Sequence, residues 1–224
     1  MRLGLIGCVV ALVIAVLILG GYYVSTRNNL VTLNQAVEAQ WAQVENVYQR
    51  RFDLIPNLVR TVQGAANFEK STLQAVVEAR ARVGQVQAPA GAPGTGGVAN
   101  APNDPAQFAQ FEQAQAGLTS ALSRLLVVVE RYPELKSNQS FLQLQSELEG
   151  TENRIAVERM RFNEVAQQYN TAVLRFPANL VASMSGFKPK NYFKSNPGAE
   201  RPPEVNFDFG TGTNTAAPAT TGTR

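Results

Sequence analysis

The side chains with the most chemical capacity in this sequence are carboxylates and arginines set close to helical apolar stripes. Over 139–175 they are Glu147, Glu152, Asn153, Arg154, Arg159 and Asn163; over 28–63 they are Arg50, Arg51, Asp53 and Asn57; over 105–131 they are Arg124 and Glu130. Carboxylates projected from several helices into one interior can hold a metal ion, and a metal-activated water can attack a substrate. The rest of the composition argues against this chemistry. The 224 residues contain no histidine and one cysteine, Cys8, which lies inside an apolar run. Ser-His and Cys-His catalysis, His-ligated zinc and the Glu-x-x-His di-iron motif are thereby excluded. Arginines alternate with the carboxylates, which suits interhelical ion pairs that fix register. We therefore expect no catalytic residue, no cofactor and no metal. The expected arrangement is a structural polar network of Arg50, Arg51, Asp53, Glu147, Glu152, Arg154 and Arg159. A carboxylate- or metal-dependent enzyme using Glu147 and Glu152 is the alternative.

A second group lies in FPANLVASMSGFKPKNYF, 176–193, which mixes aromatic and apolar residues with lysines. Phe187, Lys188, Lys190, Tyr192 and Phe193 suit contact with lipid headgroups or a protein partner. The plainer reading is a C-terminal cover over one end of a helical core, because Phe176, Phe187 and Phe193 need burial. A third group, Arg50, Arg51, Arg60, Arg80 and Arg82, could bind nucleic acid, but Glu45, Asp53 and Glu78 intersperse it and net charge is only +3. A solvated helix face explains it better, and no nucleic-acid partner is expected.

The elements that position these groups begin with Leu3 to Val24, 22 residues without a charge. As a helix this run covers roughly 33 Å, close to the ~30 Å hydrocarbon core of a bilayer. Tyr22 and Tyr23 stand at its far end, where amphipathic rings favour the headgroup layer. It is too long for a signal-peptide core and ends without an Ala-x-Ala pattern. A lipoprotein signal would place the apolar run before Cys8, not after it. Arg2 and Arg27 bracket the run, so the positive-inside bias has little to act on.

The chain beyond it reads as helices. Leu30, Leu33, Val37, Trp41, Val44, Tyr48, Ile55, Leu58 and Val62 recur at spacings near three and four, with the period disturbed at Arg51 and Phe52. Only Ser25 and Thr26 separate this helix from the apolar run, so the two are expected to join stiffly. Pro56 predicts a kink or restart. A second helix spans about 72–86, with Asn67 as its cap. Asp104-Pro105 begins a third, ending near Tyr132-Pro133. A turn over 134–138 leads to a fourth, about 139–175, which Phe176-Pro177 ends. A short amphipathic piece follows at 179–184, and 205–209 alternates as if extended. The expected fold is all-α: a transmembrane anchor (1–27), an antiparallel four-helix bundle with long helices (28–209) interrupted by a flexible Pro/Gly loop (88–105), and a disordered tail (210–224).

Several blocks resemble the LemA family of bacterial membrane proteins. They are Trp41 to Glu45, Arg50 to Val59, Ala79-Arg80, Glu130 to Lys136, Leu148 to Ala156, Phe162-Asn163, Tyr169 to Thr171, Phe176-Pro177 and Gly186 to Phe193. The resemblance covers about 25–209 and implies an N-terminal membrane helix followed by a mostly antiparallel helical bundle. It implies residence in the bacterial inner membrane, with the bulk of the chain leaning to the cytoplasmic side. It transfers no catalytic residue. Through relatives in magnetotactic bacteria it implies a part in membrane organisation. The expected function is a non-enzymatic, single-pass scaffold that meets a membrane and a protein partner or a second copy of itself. A transmembrane sensor is a further alternative beside the enzyme.

Overall fold

The computed structural model describes residues 2–64, 68–87 and 102–194. The described residues form helices and connecting segments without strands. In chain order they are α1 (Arg2–Gln63), α2 (Lys70–Gln87), α3 (Pro105–Val129), α4 (Pro133–Lys136), α5 (Gln139–Leu174) and α6 (Ala178–Met184). The cap assigned to Asn67, most of the 88–105 loop, the 205–209 segment and the 210–224 tail lie outside the described residues.

Helix α1 is one unbroken element from the apolar run into the core. Val10 to Leu19 carry exposed side chains, while Leu30, Val37, Trp41, Val44, Tyr48, Ile55, Leu58 and Val62 are buried. This helix is long and apolar enough to cross a membrane, and none of its apolar window is covered by protein.

Of the kink or restart expected at Pro56, the restart does not occur, and α1 continues through the proline. A proline leaves the carbonyl four residues earlier without its helical donor. Here that carbonyl belongs to Phe52, and Arg80 of α2 donates to it from Nε at 3.4 Å. The Arg80 guanidinium also lies 3.8 Å from the centre of the Phe52 ring. A neighbouring helix thus replaces the donor that proline removes.

The other helix starts follow local chemistry. Asp104 accepts from the backbone nitrogens of Ala106 and Gln107, with Pro105 at the first helical position. Asn138 accepts from those of Ser140 and Phe141 to start α5. Helix α1 packs most broadly on α5, and α2 on α3; α6 touches both α5 and α1.

Two apolar clusters fill the interior. One joins Ile55, Leu58, Val62, Leu73, Val76, Val83, Leu118, Leu122, Leu125, Phe141 and Leu148. The other is aromatic and lies toward the apolar run: Leu30, Val37, Trp41, Val44, Tyr48, Phe108, Phe111, Phe162, Tyr169 and Phe193.

Candidate functional site

A buried polar layer lies along the core row between the two clusters. Arg51, 1% exposed, is among the largest fully buried side chains of the described residues. Its Nη1 donates to Glu152 Oε1 at 2.6 Å and to Thr119 Oγ1 at 3.0 Å, and its Nη2 donates to the Gln115 side-chain oxygen. The guanidinium also sits 5.1 Å from the centre of the Tyr48 ring. Arg51 Nε and Gln115 Nε2 find no acceptor among the described residues.

The row positions explain this placement. Trp41, Val44, Tyr48, Arg51, Ile55 and Leu58 follow one another at steps of three and four, as do Phe108, Phe111, Gln115, Leu118 and Leu122. Arg51 and Gln115 therefore stand where their helices place core residues. Thr151 does the same on α5, and its hydroxyl donates to the Glu147 carbonyl at 2.7 Å. What reads along the sequence as a disturbance of the period is an arginine occupying a core position.

The remaining members of the expected network are dispersed. Arg159 pairs with Glu112 at 3.5 Å and lies 4.6 Å from the centre of the Phe193 ring. Asp53 accepts from Gln49, and Glu147 accepts from Gln143. Arg50 and Arg154 are exposed. Arg50, Asp53, Glu147 and Arg154 thus stand outside the layer that Arg51 and Glu152 form. Among the described residues no three of His, Cys, Asp and Glu come together in a way that could hold a metal ion.

The segment after α6 is a strap. Its residues 190–193 are clamped by two asparagines of α5. Asn170 accepts from the Lys190 nitrogen at 2.7 Å and donates to the Lys190 carbonyl at 2.9 Å. Asn163 does the same for Phe193, at 2.9 Å in both directions. Each amide side chain imitates a partner strand, satisfying backbone groups that burial would otherwise leave unpaired. Asn191 bonds the Pro102 carbonyl through its backbone and side-chain nitrogens, tying the strap to the start of α3.

Phe193 is buried, with ring centres 5.9 Å from Trp41, 4.8 Å from Phe108 and 5.5 Å from Phe162. Lys190 is buried too. Its ammonium donates to Asn103 and lies 5.2 Å from the centre of the Tyr169 ring. The expectation that these two residues meet a lipid or partner surface is therefore corrected: the aromatic core takes Phe193, and the polar groups around Asn103 take Lys190. Phe187 is half-buried, whereas Lys188 and Tyr192 are exposed. Asn170 and Gln115 were missed as positioning residues, although a polar residue at a core step of a helix is a readable signal.

Between α1 and the strap lies a cavity of about 350 Å³ lined by Val37, Glu38, Trp41, Glu45, Pro102, Asn103 and Lys190. Burial lowers the Lys190 pKa, opposed by the Glu38 charge. Burial raises the Glu45 pKa above 4.5, opposed by a hydrogen bond from Trp41. Because the folded state holds the Glu45 proton more tightly than the unfolded chain, stability falls as pH rises through the window just above 4.5, and the cost persists at neutral pH. Glu45→Gln is expected to raise the melting temperature at neutral pH. Its advantage over the parent should vanish below pH 4.5, where both states carry the proton. Thermal melts of both proteins across pH check this.

Among the described residues these features define an all-helical protein with one membrane-length helix and an interior whose polar groups bond backbone and one another. The chain belongs to the LemA family, whose profile matches residues 40–207. It is 29% identical over 184 residues to magnetosome protein MamQ 2 of Paramagnetospirillum magneticum, covering 78% of this chain and 67% of that one. The same identity and coverage hold for MamQ of Magnetospirillum gryphiswaldense. Protein LemA of Metamycoplasma hominis is 21% identical over 160 residues, covering 71% of this chain and 65% of that one. The chain spans about two thirds of the length of these relatives.

Proposed function

We propose that this chain is a non-enzymatic, single-pass scaffold of the bacterial inner membrane, which holds a helical bundle at a fixed stance beside the bilayer for a protein partner or a second copy. One observation carries the reading: α1 runs without a break from Arg2 to Gln63, so one rod is both the membrane-length helix and the longest helix of the core. The relatives named as magnetosome proteins support a part in organising membrane. In this reading the body is an antiparallel four-helix bundle. Gln40 bonds Glu158, while Arg51, later on α1, bonds Glu152, earlier on α5; that order supports opposed directions.

The test is an alkaline wash of membranes carrying the full chain. The protein should remain in the membrane, and deletion of residues 3–24 should release a folded helical protein. Recovery of the full chain in the wash would overturn the anchor. Enzymatic turnover abolished by joint Glu147→Gln and Glu152→Gln replacement, with the fold retained, would overturn the scaffold.

The unbroken α1 also favours a second reading, a sensor that passes strain across the membrane. Inserting Gly-Gly between Thr26 and Arg27 should then abolish the signal while leaving the bundle folded.

A further inference from the structure

The end of the helical body that faces the apolar run of α1 carries an uncovered apolar row. Leu174 is 64% exposed, Phe176 76%, Leu180 56% and Met184 77%. Val181 and Ala182 of α6 are buried, whereas Leu180 and Met184, four residues apart and so on one side of this short helix, are bare. Single exposed apolar residues are ordinary, but a row of four large ones marks a surface that meets something apolar.

Its position says what. Tyr23, at the end of the charge-free run, has its hydroxyl 3.2 Å from Ser185, the residue that follows α6. Counting along the helices from the Arg51–Glu152 and Trp41–Phe162 contacts sets the end of α5 beside about residue 29 of α1, roughly 8 Å along the axis past Val24. The row therefore lies at the depth where a bilayer crossed by α1 has its headgroups and upper acyl chains.

The charges agree. Arg27, Arg175 and Lys188 are exposed at this end, and none forms an ion pair among the described residues. The sequence contains no Asp or Glu over 1–37 or 165–194. An apolar row edged by cations alone matches an anionic lipid surface.

We infer that Phe176 and α6 form an interfacial foot, which inserts Leu180, Met184 and Phe176 into the same leaflet that α1 leaves and fixes the tilt of the body against the membrane. This rests on α1 being the anchor. The foot uses residues other than the strap residues Lys190 and Phe193, which the core takes.

The test uses the full chain with Cys8→Ser, carrying one nitroxide-labelled cysteine at a time, in vesicles of phosphatidylcholine with a minor share of phosphatidylglycerol. Collision with oxygen reports lipid, and collision with a nickel chelate reports water. Leu17→Cys tests the anchor, Leu180→Cys and Met184→Cys test the foot, and Leu142→Cys on α5 is the distant control. The oxygen-to-nickel ratio should be several-fold higher at 180 and 184 than at 142, and highest at 17. A lipid-like ratio at 17 with a water-like ratio at 180 and 184 would overturn the foot and leave the anchor standing. A water-like ratio at 17 would overturn both. Spin–spin broadening at 180 without a raised oxygen ratio would also overturn it, by making a second copy the occupant.

Discussion

Arg51→Ala should cost about 3 kcal/mol of stability, the lower end of the loss from breaking a buried ion pair, because Glu152 keeps partial contact with solvent. The loss has two sources: the Gln115 side-chain oxygen is left without its Arg51 donor, and the volume of a large side chain is emptied. Arg51→Met retains most of the volume and should cost less. The decisive variant combines Arg51→Met with Gln115→Leu. It removes both sides of the buried contact and also the two donors, Arg51 Nε and Gln115 Nε2, that lack acceptors. It should therefore recover most of the loss. Urea unfolding of the full chain in detergent, followed by helix content, measures all three. A double variant as unstable as Arg51→Ala would show that the polar layer stabilises by more than local pairing.

Trp41→Ala should be as damaging, at about 4 kcal/mol, in the range for truncating a buried aromatic residue. The indole is 3% exposed, and its ring meets Phe108 at 6.0 Å, Phe111 and Phe162 at 5.4 Å and Phe193 at 5.9 Å. These rings come from α1, α3, α5 and the strap, so one truncation loosens four segments at once. Phe193→Ala should loosen chiefly the strap, since the Asn163 and Asn170 clamps remain on α5. In a double-mutant cycle the two losses should fall short of additive, because each removes part of the same contact. Proteolysis near 187–193 would separate the cases: rapid cleavage in Phe193→Ala with α1 and α5 intact, and slower, global loss in Trp41→Ala. Strictly additive losses would mean that Trp41 and Phe193 stabilise independent parts of the body.

The sequence alone determined what depends on neighbours along the chain. The charge-free run, the period of the apolar stripes, the cap at Asp104 and the turn over 134–138 placed α1, α3 and α5 nearly where they stand, because helix formation and capping are local. The absence of histidine and the confinement of the single cysteine to the apolar run limited the chemistry in the same direct way. Tertiary structure decided the rest. Pro56 reads as a kink or a restart until Arg80 arrives from another helix to serve the Phe52 carbonyl. Arg51 reads as a disturbance until Gln115, Thr119 and Glu152 surround it. GFKPKNYF reads as either a contact surface or a cover until Asn163 and Asn170 hold its backbone and Phe193 fills the aromatic core. In each case the deciding partner lies far away in sequence: a polar residue at a core step is visible along the chain, but the distant group that it bonds or stacks on is not.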